Sequence, residues 1–405
     1  MPRTTDGPKV GDRLGSNQAD PSDHDHHYDR ASSPLRGLEP DELTVPDHPD
    51  QLRSGFTTGT AATAAAVAAA HILSGRPAPG EVTVRLPGGE DFSVKISESS
   101  IINSDEAMAV VVKDAGDDPD VTNKAEIGAI VRRRSEANLV HIIGGRGVGR
   151  ATKPGLAVEA GQWAINPVPR AMLRDNLSPL FSKTFPGVEV EIFVEKGEEL
   201  AAKTLNPRLG VLGGISILGT TGLVKPFSNE AYLATIESAL DVARAAGLTE
   251  VVLTTGRQSE KLGQAARPDL PPEAFVQVAD FFGDSLKMAA ERGFVKIGLA
   301  VFFGKAVKQA AGHYNTHAHR NDQDTAALAD WLAGSIDGHT DQGIRQSLTA
   351  RAALDILREA GHLDLAGAAA DRALTEARRH GGPGPELWMM IFDYDGLKLA
   401  DRFLK

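Results

Sequence analysis

The 405-residue sequence contains no cysteine. That excludes disulfide cross-links, thiolate nucleophiles, iron–sulfur ligation and cysteine-bound zinc together, and it suits a reducing compartment such as the cytoplasm. Aromatic residues are scarce at 5%, so the cores must be filled by Ala, Val, Leu and Ile. No apolar run is long enough to cross a bilayer; the longest, residues 61–73, is interrupted by Thr63 and His71. No basic segment followed by an apolar one opens the chain, so no secretory signal is expected. Positive charge does not predominate either: 43 basic against 54 acidic side chains give a net charge of −11, the opposite of a non-specific nucleic-acid binder. Neither nucleic acid nor a membrane is an expected partner, and assembly into a homo-oligomer is left open.

A hydrophobic fraction of 41% is enough for sizeable cores, and the length suggests two or three domains. Residues 1–50 differ from the rest. They hold nine Asp, seven Pro and four His but only ten apolar residues, too few to offset the entropy of ordering, so this segment is expected to be a disordered extension. Its His24, His26 and His27, with Asp23 and Asp25, could catch a metal, but a solvated tail is the favoured reading.

Residues 51–205 read as an α+β domain. An Ala-rich helix runs to Ser74 with Thr58 or Thr60 near its N-cap, and a hairpin turns at Pro87-Gly88-Gly89. Strands are expected at 107–113 and 139–143. Residues 206–323 alternate strand and helix: an apolar run at 209–218, a helix capped by Ser228, a strand at 251–255, a helix at 281–292, a strand at 296–303 and a helix opened by Gly304. Such alternation implies a Rossmann-like α/β domain with a parallel sheet, whose ligands sit beyond the carboxyl ends of the strands. Residues 324–405 read as a mostly helical C-terminal segment.

Thr-Thr-Gly recurs at Thr57-Thr58-Gly59, Thr220-Thr221-Gly222 and Thr254-Thr255-Gly256. Gly admits close approach to the backbone, and Thr hydroxyls with free N–H groups at a helix start can hold oxyanions; ordinary turn chemistry is the bland alternative. Arg53, Lys225 and Arg257 lie near these loops. Lys305 and Lys308 sit in the first turns of a helix, where a cation opposes the dipole unless an anion is bound. The spacing is not a phosphate-binding loop, because Gly298 is one residue too far from Gly304 and Ala306 replaces the required hydroxyl. Asp114, Asp117, Asp118 and Asp120 form an acidic loop without EF-hand spacing. The glycine loop 144–149, with Gly145 and Gly147, lacks the following helix of a dinucleotide fingerprint. His313 and His317 stand at i, i+4 and could ligate metal or move a proton, with Tyr314 where a zinc protease carries Glu.

These stretches together resemble the CbiD family. The resemblance is carried by LRSGFTTGTAATAAA, VVKDAGDDPDVTN, GGRGVGRATKPGL with AINPVPR, NPRLGVLGGISILGTTGLVKP, TTGRQSE and GKAVKQAAGHYNTH, in family order. Three departures stand out: Ala61 where Cys is frequent, Lys124 where Gly is frequent, and Arg146 where an acidic residue is frequent.

The resemblance implies transfer of a methyl group from S-adenosylmethionine, as co-substrate, to C-1 of cobalt-precorrin-5B, giving cobalt-precorrin-6A in anaerobic cobalamin biosynthesis. Cobalt would arrive inside the tetrapyrrole substrate, and no metal site on the protein is implied. In that frame Arg257, Lys305 and Lys308 are expected to clamp substrate carboxylates, with Thr57, Thr58, Gly59, Thr220, Thr221 and Gly222 lining the pocket. Asp114, Asp117, Gly145 and Gly147 are expected on the donor side, and His313 or His317 as the proton-handling catalytic residue. A non-catalytic anion- or tetrapyrrole-binding protein of the same fold is the alternative.

Overall fold

The computed structural model describes residues 52–137, 139–180, 186–317 and 325–404. The expected disordered extension and its histidine group lie outside these residues. The chain starts with β1 (Gly55–Phe56) and α1 (Thr58–Leu73), then β2 (Glu81–Arg85), β3 (Asp91–Lys95), β4 (Glu98–Asn103), β5 (Glu106–Val112), β6 (Glu126–Arg134), β7 (Val140–Gly144) and β8 (Arg150–Ala151). It continues through α2 (Pro167–Leu177), β9 (Gly187–Val194), α3 (Gly197–Ala201), α4 (Asn206–Leu209), β10 (Val211–Leu212) and β11 (Leu223–Val224).

These elements build the first lobe around a five-stranded sheet in the order β4-β5-β6-β9-β7, antiparallel except where β7 meets β9. The strands alternate as a half-buried sheet should. Ala107, Ala109, Val111, Ile127, Ala129, Val131, Val190 and Ile192 face one core with α1. On the other face Arg132 pairs with Glu106 at 2.8 Å and with Glu191 at 2.8 Å. Helix α1 is buried nearly all round, which explains its composition: Ala side chains let a helix lie close to a sheet and to α2 at once.

The second lobe comprises α5 (Asn229–Ala245), β12 (Glu250–Thr254), α6 (Arg257–Ala266), β13 (Phe275–Gln277), α7 (Phe282–Glu291), β14 (Lys296–Phe302) and α8 (Phe303–Ala310). Helices α9 (Thr325–Trp331), α10 (Gly338–Gln346), α11 (Ala350–Glu359) and α12 (Gly367–Gly381) follow, then β15 (Glu386–Phe392) and β16 (Lys398–Leu404). Its sheet runs β13-β12-β14-β15-β16, parallel apart from β16. Val251, Leu253, Ile297, Leu299, Met389 and Ile391 face the larger helical core. Val252, Phe275, Ala300, Trp388 and Met390 form a smaller core on the other face, packed against Leu262 and Ala266 of α6.

Two expectations are corrected. Part of the stretch after 206, expected in the α/β domain, packs with the first lobe: Ile215 and Ile217 belong to its core, β10 pairs with β8, and β11 pairs with β1. The apolar run 209–218 makes only a two-residue strand and single bridges to Val148 and Ile165, because Gly210 and Gly213 take left-handed φ values of 85° and 80° and break the ladder. The segment 324–405 is mostly helical, as expected, as far as Gly381; its two last strands then extend the sheet, β15 beside β14 in parallel and β16 beside β15 antiparallel. The run Leu387 to Phe392 is continuously buried, as a strand covered on both faces must be.

Candidate functional site

In the first lobe the structure gathers three of the sequence motifs into one cluster. Thr57 caps α1, its hydroxyl accepting from the Thr60 N–H at 3.2 Å. The Thr57 N–H donates to the Gly222 carbonyl at 3.0 Å and the Gly59 N–H to the Leu218 carbonyl at 3.0 Å. The Leu218 N–H donates to the Thr58 hydroxyl at 2.9 Å, and the Thr60 hydroxyl donates to Gly222 O at 2.6 Å. The two Thr-Thr-Gly loops thus satisfy one another. Thr57 and Thr58 are buried, and a Cβ on Gly59 would stand 2.8 Å from Pro169. Their polar atoms hold the loop together, whereas Thr220 and Thr221 are exposed beside it.

The acidic loop is tied to the same cluster. Arg53 forms a bidentate pair with Asp114 at 2.6 and 3.0 Å, and its N–H donates to Asp117 at 2.6 Å. The hydrogen bond and charge of Arg53 hold the Asp114 carboxyl down at about 2. Lys113, 1% exposed, pairs with Asp120 at 2.6 Å. Burial opposes ionisation of Asp120, but Lys113 outweighs it and the net shift is downward. Asp118 accepts from the Phe227 N–H at 3.0 Å, and burial pushes its carboxyl up.

Gly145 and Gly147 line an open depression of about 530 Å³ together with Arg146, Trp163, Glu191 and Glu198. Arg150 lies over the Trp163 ring at 3.8 Å. A Cβ on Gly147 would be 2.0 Å from the Val194 carbonyl, so that glycine is fixed by close backbone packing as well as by its place in the wall. The absence of a helix after this loop agrees with the rejection of a dinucleotide fingerprint.

The second lobe supplies the remaining residues. From β12 the chain moves to β13 on one side, and from β14 to β15 on the other. The strand order therefore reverses between β12 and β14, the place where parallel sheets take ligands at their carboxyl ends. Thr255, Gly256 and Arg257 follow β12 there, and Gly304 and Lys305 follow β14. Ser259 closes the α6 start by accepting from the Thr255 and Gly256 N–H groups, both at 3.1 Å. A Cβ on Gly256 would meet nothing within 4 Å.

Lys305 pairs with Asp280, and Lys308, 3% exposed, donates to the Thr316 carbonyl at 3.3 Å. His313 and His317 follow the end of α8 at Ala310, outside any helix, so their i, i+4 spacing does not put them on one helical face. Among the described residues no group of three or more metal-binding side chains comes together, and no helix is long and apolar enough to cross a membrane.

The first lobe reaches this edge through Arg208, which pairs with Glu260 and donates to the Phe275 carbonyl. Glu260 also accepts from Gln264 at 3.1 Å and from Gln277 at 2.5 Å. Tyr232 lies in the same surroundings, and burial followed by the Asp280 charge pushes its hydroxyl up. Arg208, Glu260, Asp280 and Trp163 carried no expectation from sequence. Arg208 lies inside the NPRLG motif and Glu260 inside TTGRQSE, so those motifs were the available signal; Asp280 lies in neither.

These features define a two-lobed α/β protein whose parallel sheet reverses strand order between β12 and β14. The chain belongs to the CbiD family: the CbiD model matches residues 45–226 and the CbiD C-terminal domain model matches residues 315–402. A protein named cobalt-precorrin-5B C(1)-methyltransferase from Pelobacter propionicus is 44% identical over 333 residues, covering 74% of this chain and 84% of its own length. One of the same name from Nitratidesulfovibrio vulgaris is 43% identical over 361 residues, covering 86% and 92%. Another from Paraburkholderia phytofirmans is 41% identical over 361 residues, covering 88% and 98%. The crystal structure of a cobalamin biosynthesis protein (cbiD) from Archaeoglobus fulgidus is 30% identical, covers 66% of this chain and 83% of that chain, and superposes with a TM-score of 0.37; that likeness is one of sequence.

Proposed function

We propose that the chain is a cobalt-precorrin-5B C(1)-methyltransferase that uses S-adenosylmethionine as the methyl donor. The observation that carries the reading is identity of 41–44% to relatives of that name over most of both chains. Nothing favours the alternative of a non-catalytic binder.

The donor supplies a methyl group on a sulfonium, a leaving group that departs as a neutral thioether. The S–CH₃ bond breaks with its electron pair remaining on sulfur, and a π pair of the macrocycle forms the new C–C bond at C-1. No covalent intermediate with the protein is required. The protein's contribution is proximity and alignment, on the order of 7–11 kcal/mol.

Arg257, at the strand-order reversal, is the residue assigned to a substrate carboxylate. The exposed hydroxyls of Thr220 and Thr221 are assigned a second polar contact; Thr57, Thr58, Gly59 and Gly222 hold the loop that presents them. Lys305 and Lys308 support the edge through Asp280 and Thr316. On the donor side, Gly145 and Gly147 with Glu198 fit a cationic ligand better than Asp114 and Asp117, which Arg53 engages. His313 or His317 is assigned the proton released after transfer.

The test is incubation of the purified chain with cobalt-precorrin-5B and methyl-labelled S-adenosylmethionine, followed by mass spectrometry of the tetrapyrrole. A labelled monomethylated product is expected; saturable tetrapyrrole binding without label would leave only the binder.

A further inference from the structure

We propose that Asp280 is a positioning residue for this reaction: by clasping Lys305 and Thr316 it fixes the 312–317 segment across the carboxyl edge of the parallel sheet. The proposal rests on the methyltransferase reading. It joins three separate stretches of chain, one following β13, one following β14, and the segment that carries His313 and His317.

The clasp is made of polar contacts. One Asp280 carboxylate oxygen takes the Lys305 ammonium and the Thr316 hydroxyl, the latter at 3.0 Å. The Asp280 carbonyl accepts from the Thr316 N–H at 3.0 Å. The Thr316 carbonyl in turn receives Lys305 at 3.5 Å and Lys308 at 3.3 Å. Within residues 312–317 only Thr316 is buried, and Tyr314 is 43% exposed. The Tyr314 ring lies against Gly283 and edge-on to His380 at 5.0 Å, and its hydroxyl donates to Asp284 at 2.9 Å, so α7 holds the middle of the segment while the Asp280 contacts hold Thr316. His317 directly follows Thr316, and its N–H is held by the Asn315 side chain at 3.0 Å. A shift of Thr316 therefore carries His317 with it.

The backbone around Asp280 is shaped for this task. Ala279 adopts φ +46°, the left-handed region, without being glycine. That conformation costs on the order of 1–2 kcal/mol and persists where surrounding contacts over-determine it. Here they do: the Val278 N–H donates to Thr254 O at 2.8 Å and the Phe281 N–H to Val278 O at 2.9 Å. The turn delivers Asp280 to the edge, between the end of the sheet and the start of α7. Lys305 is thus neutralised before any substrate arrives, which also explains a cation in the first turn of α8 without a bound anion.

The test uses the full chain with Asp280→Asn, Lys305→Met, Lys305→Arg and the Asp280→Asn/Lys305→Met double variant. Methyl transfer is followed well below each melting temperature, and amide exchange is followed over residues 312–317. Because alignment errors act on the chemical step, Asp280→Asn is expected to lower kcat about tenfold or more with KM for the methyl donor little changed. Lys305→Arg should keep most of the activity, Lys305→Met should match Asp280→Asn, and the double variant should be no worse than either single one, since coupled residues are non-additive. Exchange in 312–317 should quicken in Asp280→Asn relative to the rest of the lobe. Wild-type kcat in Asp280→Asn, full additivity in the double variant, or unchanged exchange would each overturn the proposal. Failure of the unaltered chain to transfer methyl would instead sink the methyltransferase reading, and the positioning role with it.

Discussion

Arg53 and Asp114, 61 positions apart, meet in a two-point ion pair that ties the entry to the first lobe to the acidic loop. Asp114 has its carboxyl held at about 2, first by the Arg53 hydrogen bond, against an ordinary value of 3.8. The folded state therefore prefers the ionised form. Its stabilising effect is fully present above about pH 4 and is lost as the pH falls towards 2. The Arg53 side chain is more than half exposed, so solvent screening keeps the effect small. Asp114→Asn should lower the melting temperature by a few degrees at pH 7, and the gap to wild type should narrow as pH falls below 4. A gap that is constant with pH would show that the ion pair is not what Asp114 contributes.

Lys124 adopts φ +66°, the left-handed region, without being glycine. Its N–H donates to the Lys113 carbonyl at 2.8 Å, so the turn keeps this conformation whatever the side chain. Left-handed backbone costs a non-glycine residue about 1 kcal/mol or more, partly offset by the greater entropy glycine has in the unfolded chain. Lys124→Gly is expected to raise stability by about 0.5–1 kcal/mol in urea unfolding. An unchanged or lower midpoint would mean that the Lys124 side chain provides more than the strain removes.

Much of the architecture was legible because local chemistry and long-range packing agree there. Ser228 caps α5 through the Ala231 N–H, and the alternation of β2 and β3 around Pro87-Gly88-Gly89 forms a hairpin. The misreadings come from packing that no local pattern encodes. The run 209–218 looks like a strand of the second lobe, yet its glycines hand Ile215 and Ile217 to the first core. Strand β15 follows four helices and pairs with β14 across a long stretch of sequence, and β16 then pairs with β15. The site divides in the same way. Thr and Lys motifs pointed to loops that the structure places in the first-lobe cluster and at the carboxyl edge, but what a hydroxyl or ammonium there engages depends on partners such as Asp280 and Leu218, which are remote in sequence.

Arg208 connects the two lobes through a carboxylate that is nearly closed to solvent: Glu260 is 6% exposed. Removing one partner of such a pair leaves the other charge without compensation, a loss of about 3–5 kcal/mol when fully buried. Arg208 itself is about a third exposed, so water repairs part of the damage. Arg208→Met should therefore cost about 2 kcal/mol and lower kcat/KM, because the NPRLG motif loses its hold on the carboxyl edge. Arg208→Met/Glu260→Gln should recover part of the stability. If the single variant is as stable as wild type, the lobes are joined by other contacts, such as Lys153 with Glu273 at 2.6 Å.

The two cations at the strand-order reversal should separate kinetically. Lys305 pairs with Asp280, and Arg257 opens α6 at the end of β12. Arg257→Ala removes a carboxylate contact in the proposed site, and a charged hydrogen bond is worth about 1.5–3 kcal/mol. KM for the tetrapyrrole should rise roughly tenfold to a hundredfold, with the melting temperature little changed. Lys305→Ala leaves the half-buried Asp280 carboxylate uncompensated, so its melting temperature should fall and the loss should appear in kcat. Steady-state kinetics and thermal melts on the two variants read both effects. If Arg257→Ala binds the tetrapyrrole as tightly as wild type while Lys305→Ala loses affinity, the carboxylate contact belongs to the lysine, and its ion pair with Asp280 must open when substrate binds.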